Sequence, residues 1–202
     1  MITNYTTKVK EIIFNHNSGW AFTHVDFSSL GSMATVERVL SRLVVSGEIK
    51  RIRRGIYYIP ENSRWGEVPP SQSNIIKALS RSMNTDFIPD GANALYQLGL
   101  THQVPMKQVY LTDKQISTIS IGKTKIEFKK VSSKKLSGAA SGVSVYLSAI
   151  EYLGKEEVLE ESVKSRVANT IDKRMVAKLE EASESRAVWV REVVKEITKR
   201  VM

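Results

Sequence analysis

The chain has 202 residues, 42% hydrophobic and 25% charged, and a formal net charge of +9. That balance belongs to a globular protein with a buried core and excludes a disordered or membrane chain. No apolar run approaches the roughly 20 residues that span a bilayer, the start MITNYTTKVK lacks a secretory apolar segment, and there is no cysteine for disulfides or thiolate-bound zinc. The expectation is a cytoplasmic protein without a membrane partner. Its positive charge is unevenly spread. Residues 1–65 carry nine Lys and Arg against five acids, residues 66–155 eleven against six, and residues 156–202 ten against ten. A polyanionic partner should therefore meet the first three quarters of the chain.

In chain order, Thr7 to Phe14 places Val9, Ile12 and Ile13 on one helical face. Asn17-Ser18-Gly19 breaks that helix, and Val25 to Leu30 fits a second, short one. Gly31 makes a turn, after which Ser32 is suited to cap a third helix. There Val36, Val39, Leu40 and Leu43 recur at 3.6-residue spacing, so one face is buried and Ala34, Thr35, Arg38, Ser41 and Arg42 face outward. Gly47 stops this helix in left-handed geometry. Ile49 to Arg53 and Ile56 to Ile59 flank Arg54-Gly55 and should pair as a hairpin. Pro60 to Ser73 gathers three of the five prolines and reads as a connection, its centre at 63–72.

Beyond it, residues 75–83 resume helical spacing, Phe87-Ile88-Pro89 is extended, and Gly91 to Leu98 is a short apolar helix. Val109-Tyr110-Leu111 is a strand candidate. Ile119 and Ile121, then Ile126 and Phe128, alternate with polar residues about Gly122-Lys123, the pattern of a hairpin. Ser132 to Ser144 is a Ser-, Gly- and Lys-rich connection, followed by an apolar helix from Val145 to Leu153. The remainder reads as helical, ending in a stripe of Ala187, Val190, Val194, Ile197 and Val201 that fits either core packing or a dimer seam. The fold class is α+β: an N-terminal winged helix-turn-helix at 1–62, then a mixed α/β domain with a helical tail at 73–202.

Three helices followed by a hairpin is the order of a winged helix-turn-helix, and it points to double-stranded DNA. Ser32, Thr35, Arg38 and Arg42 lie on the third helix, whose N-terminal end is the part that meets base edges. Arg bonds a guanine edge bidentately, and Thr bonds a base or phosphate. Lys50, Arg51, Arg53 and Arg54 give the hairpin four cations for phosphates or the minor groove, with Ile52 turned towards the core. The alternatives are a solvated cationic face, or a winged fold used for protein contacts.

No catalytic constellation emerges, and an enzyme is not expected. Gly122-Lys123-Thr124 lacks the upstream glycine of a phosphate-binding loop. Gly31-Ser32 has only Glu37 nearby, not the carboxylate pair that magnesium chemistry needs. His16, His24 and His102 have no metal spacing, and Gly138 to Gly142 has no dinucleotide fingerprint. Glu156, Glu157, Glu160 and Glu161 suit a solvated helix start. Neither cofactor nor metal is expected.

Two stretches resemble the AbiEi-type antitoxins of type IV toxin–antitoxin and abortive-infection systems. One is Arg53-Arg54-Gly55-Ile56-Tyr57-Tyr58-Ile59-Pro60. The other runs from Gly91 through Leu95, Gly99 and His102 to Pro105, then Val109-Tyr110-Leu111-Thr112, Ile121-Gly122 and Ile126-Glu127-Phe128-Lys129. The resemblance covers roughly residues 5–155. It implies a repressor that binds inverted repeats in its own promoter through the winged helix. It also implies a C-terminal domain that neutralises a cognate nucleotidyltransferase-like toxin without a stable complex. The DNA contacts then fall on Thr35, Arg38, Arg42, Lys50, Arg51, Arg53 and Arg54. The alternative is a transcriptional regulator whose second domain senses a ligand or dimerises, with no antitoxin role. Lys123, Lys125, Lys129, Lys130, Lys134 and Lys135 extend the nucleic-acid or toxin surface, or are a solvated strand face.

Overall fold

The computed structural model describes residues 2–64, 66–122 and 124–201. It is an α+β structure that divides into two compact units, Met1–Thr85 with Ile119–Lys123, and Asp86–Thr118 with Thr124–Met202. Among the described residues, no helix is long and apolar enough to cross a membrane.

In the first unit, helix α1 (Ile2–Phe14) buries Val9 and Ile13, one turn apart. Strand β1 (Ala21–Phe22) follows. A tight 3-10 turn at His24–Phe27 then replaces the short helix expected over Val25 to Leu30. Local hydrogen bonds explain the tightening. The Thr23 hydroxyl accepts from the Val25 N–H at 3.2 Å, and the Asp26 carboxylate accepts from the Thr23 N–H at 2.8 Å. The turn's donors are thereby satisfied within four residues, and Phe27 still reaches the core.

Helix α2 (Met33–Val45) begins where the sequence places it, with the Ser32 hydroxyl accepting from the Thr35 N–H at 3.3 Å. It buries Val36, Val39, Leu40 and Leu43. Gly47, at φ +78°, ends it, and the Glu48 N–H donates to the Leu43 carbonyl at 3.0 Å. Strands β2 (Lys50–Arg53) and β3 (Ile56–Tyr58) pair antiparallel across a turn at Gly55, φ +84°. The sheet order is β1-β3-β2. Phe22, Phe27, Leu40, Ile49 and Tyr57 join the helix residues in one core.

The stretch expected to be a linker, 63–72, is structured. Strands β4 (Glu61–Ser63) and β5 (Gly66–Val68) form a second antiparallel ribbon, and Ser71 caps helix α3 (Gln72–Met83). That helix belongs to the first unit. The Asn74 amide donates to the Gly19 carbonyl at 2.7 Å, and Arg81 donates through Nε to Asp26 at 2.6 Å and through Nη2 to the Ala21 carbonyl at 2.9 Å. Proline-rich composition marked the turns around a ribbon here, not a flexible tether.

In the second unit, β6 (Ile88–Pro89) pairs antiparallel with β7 (Gln108–Thr112), and helix α4 (Ala92–Gln97) lies between them in sequence. Strand β8 (Ile119–Ile121), grouped with the first unit, precedes Gly122 at φ +55°, and β9 (Thr124–Lys130) then runs parallel to β7. Helices α5 (Ser144–Val158), α6 (Glu161–Ala168), α7 (Val176–Ser183) and α8 (Val188–Thr198) complete the chain. Helix α5 outruns the expected Val145 to Leu153 but breaks at Gly154, φ +79°. From the tail stripe, Val190, Val194 and Ile197 are fully buried against Leu147, Ile150 and Leu179. Core packing therefore accounts for these three residues.

Candidate nucleic-acid interface

The sequence singled out eight residues, and all belong to the first unit, on or beside α2 and the β2–β3 hairpin. Ser32, Arg38 and Arg42 are exposed on α2, whereas Thr35 is half-buried. Its hydroxyl lies 3.0 Å from that of Ser32, so one of the two donates a hydrogen bond to the other at the helix start. Ser32 therefore has a structural duty, satisfying an otherwise orphaned helix N–H, before any contact with a ligand. Arg38 and Arg42 sit one turn apart on the same outward face, with Ser41 beside them.

On the hairpin, Lys50, Arg51 and Arg54 are exposed and Arg53 is half-buried. The register sets Lys50 opposite Tyr58, Arg51 opposite Tyr57 and Arg53 opposite Ile56, with an irregularity between Arg51 and Arg53. That irregularity removes Ile52 from strict alternation, and its side chain is half-buried instead of fully turned inward. Tyr57 links helix and hairpin. Burial pushes its hydroxyl pKa above the usual tyrosine value, the charges of Arg51 and Arg54 oppose that rise, and Glu37 from α2 reinforces it. Glu37 of α2 and the hairpin cations Arg51 and Arg54 thus act on the same hydroxyl.

The six cations are not equivalent. Lys50 Nζ lies 3.4 Å from Glu67 on β5, whose carboxylate also accepts a 2.5 Å hydrogen bond from the Tyr58 hydroxyl. Burial and then this bond push the Tyr58 pKa up to about 12, while the Tyr58 bond leads the causes that hold Glu67 below the ordinary carboxylate range. Arg53 is engaged within the chain. Arg38, Arg42, Arg51 and Arg54 form no ion pair among the described residues. Sequence reasoning missed Glu67 because it fell in the presumed linker. Its separation from Lys50 becomes short only once β4 and β5 fold as a ribbon.

The second group of lysines belongs largely to the second unit, and Lys123 lies outside the described residues. Lys129 Nζ contacts Asp90 at 2.8 Å and Lys135 pairs with Glu151. Lys125, Lys130 and Lys134 are exposed.

A protein-family model described as a family of unknown function (DUF6088) matches residues 8–179. No curated protein matches the chain. Among solved structures, the chain is similar to that titled the crystal structure of RV2827C protein from Mycobacterium tuberculosis, at 9% identity and a TM-score of 0.41. That match covers 97% of this chain and 76% of the other.

Proposed function

The chain belongs to the DUF6088 family, and from its own residues we propose that it is a DNA-binding antitoxin that represses its own operon. In this reading the first unit works as a winged helix-turn-helix. Helix α2 enters the major groove, and the β2–β3 hairpin tracks the phosphates or the minor groove. The observation that carries the reading is the set of four arginines that have no carboxylate partner among the described residues, two on one face of α2 and two on the adjoining hairpin. Unpaired cations in a folded surface hold potential that phosphate can use at once, with no internal ion pair to break.

Arg38 and Arg42 serve as base or phosphate contacts, Arg51 and Arg54 as phosphate contacts, and Thr35 and Ser32 set the start of the helix. The second unit neutralises a cognate nucleotidyltransferase-like toxin in the cytoplasm, a role supported by the resemblance of the Gly91 to Pro105 stretch to type IV antitoxins. A gel-shift titration on the upstream region tests the first half. Arg51→Ala with Arg54→Ala weakens binding at low salt, and unchanged affinity removes the hairpin from the mechanism. Co-expression with the neighbouring gene tests the second half, since relief of toxicity separates an antitoxin from a regulator with a ligand-sensing second unit. The second unit's cavity favours that alternative.

A further inference from the structure

The second unit contains a cavity of about 470 Å³ to which the DNA reading gives no task. Its volume is that of a small-molecule site, and one wall is the Gly91 to Pro105 stretch. Gly91 explains part of its shape. At φ +55° it adopts a backbone that side chains disfavour, and a Cβ there would stand 2.8 Å from a ring carbon of Tyr152. The Tyr152 ring therefore rests against bare backbone at the cavity wall, yet remains 57% exposed. A half-open aromatic ring braced on one side is a stacking platform, and exposing it to water has a cost that an occupant would remove.

The remaining walls combine apolar surface with cations. Leu95 and Val109 line the cavity and are only half-buried, so the core is not closed over them. Lys107 and Lys129 stand at the rim with side chains 70% and 62% exposed. Lys129 rests on Asp90 at 2.8 Å, and Lys107 reaches Glu127 at 3.3 Å. Of these four groups, Asp90 alone among the acids lines the cavity, so the lining carries one surplus positive charge.

We propose that this cavity binds a small planar ring bearing an acidic group. The ring stacks on Tyr152 over the apolar wall of Leu95 and Val109. The acid displaces a carboxylate from Lys129 or Lys107. Two common sources share that chemistry, an aromatic carboxylate and a nucleoside monophosphate, and the two probes below separate them.

The test is isothermal titration of the full chain with indole-3-carboxylate and with adenosine monophosphate, using indole and adenosine as uncharged controls. The expected result is saturable binding of at least one acid, with its uncharged control about tenfold weaker or worse. Tyr152→Leu, which keeps apolar contact with Gly91 but removes the ring, and Lys129→Ala each weaken that binding by about tenfold, the size of one stacking or charged contact. Because both side chains are exposed, the variants should melt like the parent, and Tyr152→Ala provides a second ring deletion. Absence of saturation by either acid into the millimolar range overturns the proposal. So does unchanged affinity in Lys129→Ala or in a folded Tyr152 variant. Neither titration involves DNA, so its outcome is independent of the first unit's interface.

Discussion

The salt dependence of DNA binding tests the assignment of the four arginines most directly. Each phosphate neutralised by a protein cation releases condensed counterions, giving a slope of log affinity against log salt of about −0.9 per contact. Among the described residues Arg38, Arg42, Arg51 and Arg54 lack carboxylate partners, whereas Lys50 is held by Glu67 and Arg53 is engaged within the chain. With all four arginines on phosphates the slope is about −3.6, and with all six cations of the sequence on phosphates it would be about −5.4. Between roughly 50 and 200 mM salt, the four-contact slope costs about 150-fold in affinity, and Arg51→Ala with Arg54→Ala reduces that loss to about 12-fold. Glu67→Gln has the opposite effect. It releases Lys50, steepens the slope by about 0.9 and tightens binding at low salt. Fluorescence anisotropy with a labelled operator duplex, repeated across salt concentrations, measures all three slopes. A double variant with the parent's slope would show that the hairpin does not touch the phosphates, and an unaltered Glu67→Gln slope would show that the ion pair does not restrain Lys50.

Leu40 is fully buried in the first unit's core, so Leu40→Ala should lose about 2–5 kcal/mol in chemical denaturation. Tyr58 carries a pH signature. Its folded pKa, raised to about 12, exceeds the ordinary value near 10, so its contribution to stability is complete below that ordinary value and is lost as pH rises through about 12. Tyrosinate absorbance of the parent should show a late-titrating group that is absent in Tyr58→Phe; identical titrations would refute the raised Tyr58 pKa. Arg81→Ala removes hydrogen bonds to Asp26 and the Ala21 carbonyl, and should lower thermal stability by about 1.5–3 kcal/mol. A fragment ending at residue 62 lacks these ties and should melt below one ending at Thr85; equal melting would place α3 outside the first unit's cooperative fold.

Much of the fold was legible because it depends on local rules. The α2 start at Ser32, its buried stripe and its left-handed stop at Gly47 each need only a few neighbouring residues, and each stands where the sequence put it. The turn at Gly55 and the strands on either side of Gly122 follow from the same kind of signal. What stayed hidden depends on distant partners. Glu156, Glu157, Glu160 and Glu161 read as a solvated helix start, yet Lys164, only 8% exposed at its side chain, lies 2.9 Å both from its i,i+3 neighbour Glu161 and from Glu196, 32 residues away. Arg186, 3% exposed at its side chain, donates to the Lys135 carbonyl 51 residues away at 2.6 Å. Local charge spacing contains no information about the contacts of Lys164 with Glu196 and of Arg186 with Lys135.

The same distinction explains the candidate interface. Exposure of Arg38, Arg42, Arg51 and Arg54 could be read from helix phase and turn position, because both are periodic properties of short segments. The neutralisation of Lys50 could not. Glu67 reaches it through a ribbon whose residues, Glu61 to Val68, have neither strong β-propensity nor apolar alternation. That ribbon is exposed on both strands, so no burial pattern advertised it. One tie to the hairpin is the Tyr58 hydroxyl, and in the sequence Tyr58 stood only as a member of the Ile56 to Ile59 strand and of the Arg53 to Pro60 motif. A polar tip on a buried ring thus decides how many charges the hairpin offers to a duplex. Counting cations along a sequence overstates an electrostatic footprint wherever the opposing carboxylate arrives from a different element.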